Sequence, residues 1–141
     1  MKRFLLIALV LVAALGVASC NSGGGGLIGQ IASGSGYVGG TWSGTLVSRG
    51  AYGTMSLTIT ISQNELGDII GTAKITGKFS DSKGIVAGTV SNASGPGDIG
   101  FSISWGTGDT MTFIGTYTAT TMKGAYSSLT IGDAGSFYLA K

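Results

Sequence analysis

The sequence predicts an all-β domain over residues 37–141, arranged as an eight-stranded antiparallel up-and-down barrel. A two-sheet β-sandwich is the alternative. Three observations support this prediction: apolar and polar residues alternate with a period of two, the separators between the alternating runs are short, and glycines recur among the apolar positions. The segment has no window with the spacing of an amphipathic helix.

The alternation is unbroken over 54–61, where methionine, leucine and isoleucine are separated by serine and threonine, and it recurs over 99–105 and 111–117. Successive side chains of a strand point to opposite faces, so faces this apolar must be buried. The predicted inward set is Trp42, Leu46, Met55, Leu57, Ile59, Ile61, Ile75, Val86, Val90, Ile99, Phe101, Ile103, Trp105, Met111, Phe113, Tyr117, Met122, Tyr126, Phe137 and Leu139.

Runs bounded by turn residues give the eight strands of the predicted barrel. They lie at about 38–48, 54–62, 68–76, 84–91, 98–105, 110–119, 121–128 and 135–140. The short separators between them join sequence neighbours as hairpins, which makes a meander the natural topology. Eight strands can close into a barrel, so we expect the last strand to pair with the first and leave no free edge.

Glycines on the inward parity support closure. They occupy positions 40, 44, 71, 88, 115 and 124. Glycine weakens a flat strand, so its recurrence at inward positions needs a structural reason. The absence of a side chain lets a strand coil sharply and leaves room for bulky neighbours, as barrel closure requires.

The first twenty residues have a different character. Met1–Arg3 is a short basic start, and the following residues 4–17 are all apolar or glycine. That run is shorter than the roughly 20 residues needed to span a bilayer, but its length is typical of the apolar region of a signal peptide. Small residues then lead to Cys20.

The segment Val17-Ala18-Ser19-Cys20 resembles the lipobox of bacterial lipoprotein precursors. The resemblance implies a signal peptide at 1–19, cleavage between Ser19 and Cys20, and lipidation of Cys20, whose acyl chains would bind a membrane. If the host has two membranes, Asn21 favours the outer one. The alternative is an ordinary signal peptide with a leftover cysteine. As Cys20 is the only cysteine of the chain, an intramolecular disulfide cannot explain it.

Residues 20–36 are predicted to be the lipidated cysteine followed by a linker. Glycine and serine dominate this stretch, and such a composition buries too little apolar surface to order itself. A flexible linker of this length has a root-mean-square span of about 22 Å. The predicted organisation is therefore a signal peptide, a tether and one barrel domain, 37–141, held in the cell envelope.

A second resemblance concerns the start of the barrel. Gly40-Thr41-Trp42 resembles the Gly-x-Trp signature of lipocalins and the Gly-Thr-Trp of avidins, both of which are eight-stranded meander barrels. In lipocalins the tryptophan plugs the closed end of the barrel beneath a basic side chain from the last strand. The resemblance implies these roles for Trp42 and Lys141, and it implies a small apolar ligand inside the barrel.

Composition excludes several classes of function. The chain has no histidine, which removes the usual general base and the commonest metal ligand. With Cys20 acylated, no thiol remains for catalysis or zinc. Residues 20–141 carry six basic and six acidic side chains and no basic run, so we expect no nucleic-acid binding. We therefore predict no enzyme activity, no cofactor and no metal, and we expect the carboxylates to be solvated at turns and strand ends.

The first functional hypothesis is a non-catalytic lipid-anchored lipoprotein with a structural role or an interaction with an envelope protein or polymer. The second is binding of a small apolar ligand at the open end of the barrel, with Trp105, Tyr117 and Tyr126 offering polar tips. An eight-stranded barrel is about wide enough for its own side chains to fill it, which favours the first hypothesis. The third is an eight-stranded outer-membrane barrel, which requires the apolar face to point outwards.

Overall fold

The computed structural model describes residues 36–77 and 82–141. The strands are β1 (Gly40–Ser48), β2 (Thr54–Gln63), β3 (Asp68–Thr76), β4 (Ser82–Val90), β5 (Gly97–Trp105), β6 (Thr110–Tyr117), β7 (Thr121–Ser128) and β8 (Asp133–Ala140). Each pairs antiparallel with the next, and β8 pairs with β1, so the sheet is a closed barrel. The predicted barrel is confirmed, and the sandwich alternative is wrong. Every boundary lies within two residues of its predicted position.

Within the two described ranges, no helix is long and apolar enough to cross a membrane. The predicted signal peptide, Cys20 and all but the last residue of the predicted linker lie outside the described residues. Their predicted roles rest on the sequence.

The meander gives the barrel two distinct ends. The Trp42 end holds the beginning of β1, the turns at 64–67, 91–96 and 118–120, and the last residue, Lys141. The Asp133 end holds the turns at 49–53, 106–109 and 129–132. The described chain enters at the Trp42 end through residues 36–39.

The interior is a single hydrophobic core. Every residue of the predicted inward set is buried, and three residues that the prediction omitted join it: Val38, Ile69 and Ala73. Phe101 stacks on Phe113 with ring centroids 4.6 Å apart, and Phe137 meets Phe113 edge-on at 5.4 Å. Offset and edge-to-face contacts are the favoured geometries of aromatic pairs, so this cluster adds to the stabilisation from area burial.

Six interior glycines mark places where adjacent strands approach too closely for a side chain. A Cβ atom at any of them would lie 2.0–2.2 Å from a carbonyl oxygen of the neighbouring strand. They are Gly44, Gly71, Gly88, Gly115, Gly124 and Gly135. Five of these were predicted on the inward parity, and the close approach is the structural reason for their recurrence.

Candidate functional site

The three residues of the predicted ligand pocket do not share one mouth. Trp105 is the last residue of β5, and Tyr126 is near the end of β7, so both lie towards the Asp133 end. Tyr117 is the last residue of β6 and lies at the Trp42 end. All three side chains are buried, with exposed fractions of 7 % or less.

The hydroxyl groups of both tyrosines are already engaged. Tyr117 Oη donates a hydrogen bond to the carbonyl oxygen of Asn92, and Tyr126 Oη donates to Asp133 Oδ2 at 2.7 Å. Burial raises the pKa of Tyr117, because its charged form would lose hydration. A ligand that bonded to either hydroxyl would have to replace Asn92 or Asp133 as its hydrogen-bond partner.

The Trp42 end is plugged by the segment that precedes β1. Trp42 Nε1 donates to the carbonyl oxygen of Val38 at 2.8 Å, and the Val38 amide donates to Gln63 Oε1 at 3.1 Å. Gln63 Nε2 in turn donates to the carbonyl oxygen of Ala93 at 2.7 Å. The network joins β1, β2 and the β4–β5 turn through buried polar atoms, and this fixes the entering chain across the barrel mouth.

Lys141 lies over the outer side of this plug. Its Nζ is 5.2 Å from the centroid of the Trp42 ring, within the range of a cation–π contact. Lys141 directly follows Ala140, the last residue of β8, so the contact joins the end of the described chain to β1. The side chain is exposed, so the contact contributes of the order of 0.5–1 kcal/mol.

The Asp133 end contains a buried carboxyl group that ties three strands together. Asp133 is 4 % exposed and accepts hydrogen bonds from Ser48 Oγ at 2.6 Å and from Tyr126 Oη at 2.7 Å. Ser48 Oγ also accepts a hydrogen bond from the Gly50 amide at 2.9 Å. Because Ser48 belongs to β1 and Asp133 to β8, the group lies across the pair of strands that closes the barrel.

Sequence reasoning missed Gln63 and Asp133. The expectation that all carboxylates would be solvated at turns and strand ends is wrong for Asp133, because its side chain faces inwards. The alternation of inward and outward positions could have identified both residues as buried. Gln63 continues the inward positions 55–61 of β2, and Asp133 continues the inward positions 135–139 of β8. Both residues lie just outside the predicted strands 54–62 and 135–140, and both are buried in the network at their own end of the barrel.

These polar clusters link neighbouring strands and turns at the two ends of the barrel. Every buried side-chain nitrogen or oxygen of residues 36–77 and 82–141 has a hydrogen-bond partner. No group of three or more acidic, histidine or cysteine side chains in those ranges could hold a metal ion.

Ionisation of Tyr126 gives a test of the Asp133 network. Burial is the main cause of a raised pKa for Tyr126, and the hydrogen bond to Asp133 and its negative charge add to it. Below about pH 10 both the folded and the unfolded tyrosine keep the proton. Above that pH the unfolded state loses the proton first, so the free energy of unfolding should fall.

We therefore expect the melting temperature of the wild type to fall more steeply above about pH 10 than that of Tyr126→Phe. At pH 7 the substitution should cost about 1–3 kcal/mol, because Asp133 loses a buried donor. Tyr138→Phe, at a half-exposed tyrosine of β8, is the matched control. Parallel alkaline melting curves for the wild type and Tyr126→Phe would contradict the assignment.

The outer wall of the barrel carries threonine, serine and lysine, and it has two concavities lined by described residues. One, of about 700 Å³, crosses β2 to β5 and contains Lys74 and Lys83. The other, of about 540 Å³, crosses β6 to β8 beside Lys123 and Tyr138. Side chains fill the interior, and the tyrosine hydroxyls there already have hydrogen-bond partners. The outer wall is therefore the candidate surface for a partner, and the larger concavity, with its two lysines, is the candidate site on it.

Comparison with known proteins leaves the description at the level of the fold. No protein-family model, curated protein or solved structure matches this chain.

Proposed function

We propose that the protein is a lipid-anchored lipoprotein of the cell envelope. Its barrel acts without catalysis, by presenting its outer wall to a protein or polymer of the same compartment. The observation that carries the proposal is the distribution of side chains: apolar residues fill the interior, while hydroxyls and lysines face outwards. A filled barrel contacts partners through its surface, and the sequence features of residues 1–20 supply the anchor.

The contents of the barrel support this function over ligand carriage. Phe101, Phe113, Tyr126 and Phe137 contact one another inside the barrel, with ring centroids 4.6–6.1 Å apart. A carrier needs a cavity of roughly 300 Å³ or more for a small apolar ligand. Both concavities lined by described residues lie on the outer wall instead.

The orientation of the side chains also argues against an outer-membrane barrel. Such a barrel turns its apolar parity to lipid and its polar parity to the lumen. Here the apolar parity is buried inside, and outward positions such as Thr58, Thr112 and Lys123 are exposed. Lysine and threonine along the wall would face hydrocarbon in that alternative, so the proposed attachment uses acyl chains.

The anchor is tested by Cys20→Ser in a bacterial host. The wild type should fractionate with membranes and, after processing, begin at Cys20 with the added mass of its acyl chains. Cys20→Ser should lose both properties, because serine lacks the sulfur that is alkylated. Ser22→Ala, in the linker, is the matched control and should behave as the wild type. A wild type without lipid mass, or membrane fractionation unchanged in Cys20→Ser, would contradict the proposal.

A further inference from the structure

Two lysines face each other on the outer wall, and no acidic residue is among the described residues that line the concavity around them. Lys74 of β3 is the direct register partner of Lys83 of β4, and both are exposed. Like charges at directly opposed positions of a sheet destabilise the pair. Lys78 and Asp81, between these strands in the sequence, lie outside the described residues.

The concavity around the two lysines has the chemistry of an anion site. We call it the dilysine basin, defined by Lys74, Lys83, Thr58, Thr60, Thr72 and Ser104. None of the described residues that line it is acidic. The ammonium groups supply positive charge, and the hydroxyls of Thr72 and Ser104 can donate hydrogen bonds, which together suit the oxygens of a phosphate group. The hydroxyls of Thr58 and Thr60 already bond to those of Ser43 and Thr41.

The basin also offers apolar contact and space for more than a phosphate. Ile85 borders it and is 69 % exposed. Its volume of about 700 Å³ lies within the 300–1,000 Å³ typical of sites for compact organic ligands. A sugar ring combines hydroxyls with an apolar face, so a phosphorylated sugar unit matches both halves of the lining.

We propose that the dilysine basin binds the phosphate-bearing units of an anionic polysaccharide. This inference rests on the proposed function and gives the outer wall a specific partner class. The position of the basin favours a polymer over a lipid headgroup. The linker joins the barrel at the Trp42 end, whereas Lys74 and Lys83 lie at the strand ends nearest the Asp133 end. The basin therefore lies away from the point of attachment.

The proposal is tested in a non-ionic detergent with the full chain as the host processes it, whether it carries acyl chains or not. The probe is phosphorylated dextran, with neutral dextran of the same length as the reference. We expect salt-sensitive binding to phosphorylated dextran alone. The double variant Lys74→Gln, Lys83→Gln should weaken it at least about tenfold, because charge-assisted hydrogen bonds are lost. Its melting temperature should equal or exceed that of the wild type, because the repulsion is removed.

Lys123→Gln is the matched control, since Lys123 is an exposed lysine on the opposite outer wall. It should change the affinity less than twofold. Equal binding by the wild type and the double variant, or an equal loss in Lys123→Gln, would overturn the proposal. So would absence of polymer binding combined with Lys74- and Lys83-dependent binding to vesicles containing phosphatidylglycerol. The assay does not depend on membrane attachment, so its outcome is separate from that of the Cys20→Ser experiment.

Discussion

Replacing Trp42 with alanine should remove a large part of the protein's stability. The indole is fully buried, and its Nε1 anchors the plug at Val38. Truncation of a buried tryptophan costs about 3–5 kcal/mol, and the total stability of a domain is about 5–15 kcal/mol. The loss should appear as a large fall in the midpoint of urea unfolding, followed by tryptophan fluorescence from Trp105 or by circular dichroism.

Two further variants separate the contributions at this site. Trp42→Phe keeps an aromatic ring but lacks the donor to Val38, so it should lie between the wild type and Trp42→Ala. Lys141→Ala removes only the exposed cation above the ring and should cost about 1 kcal/mol or less. A midpoint for Trp42→Ala within error of the wild type would mean that the plug does not stabilise the barrel.

Replacing Gly44 with alanine should open the barrel where it closes. The new Cβ would lie 2.0 Å from the carbonyl oxygen of Tyr138, on the strand that pairs with β1 at the closing seam. A backbone atom cannot swing away as a side-chain tip can, so β1 and β8 must separate. Overpacking of this kind costs about 1–3 kcal/mol, and we expect the upper end of that range.

Gly100→Ala is the matched control for this substitution. Gly100 also lies within a strand, β5, but a Cβ there would meet no atom within 4 Å. Because alanine restricts the unfolded chain more than glycine does, this variant should be as stable as the wild type or more stable by up to about 1 kcal/mol. Equal destabilisation by both substitutions would show that strand propensity, and not close approach of β1 and β8, determines the cost.

The strands could be predicted because their signal is local. Alternation with a period of two identifies a strand and its inward face from a few neighbouring residues, and glycine on that face indicates coiling. The segment 54–61 is the clearest case, and it became β2 with its apolar residues buried. Short separators then left few topologies for eight strands to adopt.

The candidate site could not be predicted in the same way, because it depends on which residues of neighbouring strands meet at the same height along the barrel axis. The predicted strand bounds and the meander already imply that Tyr117 lies at the end opposite Trp105 and Tyr126. The hydrogen bonds of the two tyrosine hydroxyls, to Asn92 and Asp133, were not predictable from the alternation. The opposition of Lys74 and Lys83 likewise follows from the register of β3 against β4. Register depends on the hairpin at 77–81 and on packing of the whole sheet, which single-strand patterns do not specify.

The hydrogen bond between Ser48 and Asp133 has a consequence for the order of folding. It joins residues 85 positions apart, and the paired residues of β1 and β8 are 87–97 positions apart. Hairpins between neighbours close short loops and form early, whereas β1 must wait for the end of the chain. During that interval its edge is unpaired and can accept the β8 of another copy. Copies tethered to one membrane, as we propose, are at a high local concentration. The rate at which β1 pairs with β8 of its own chain therefore determines how many copies exchange β8 strands with one another.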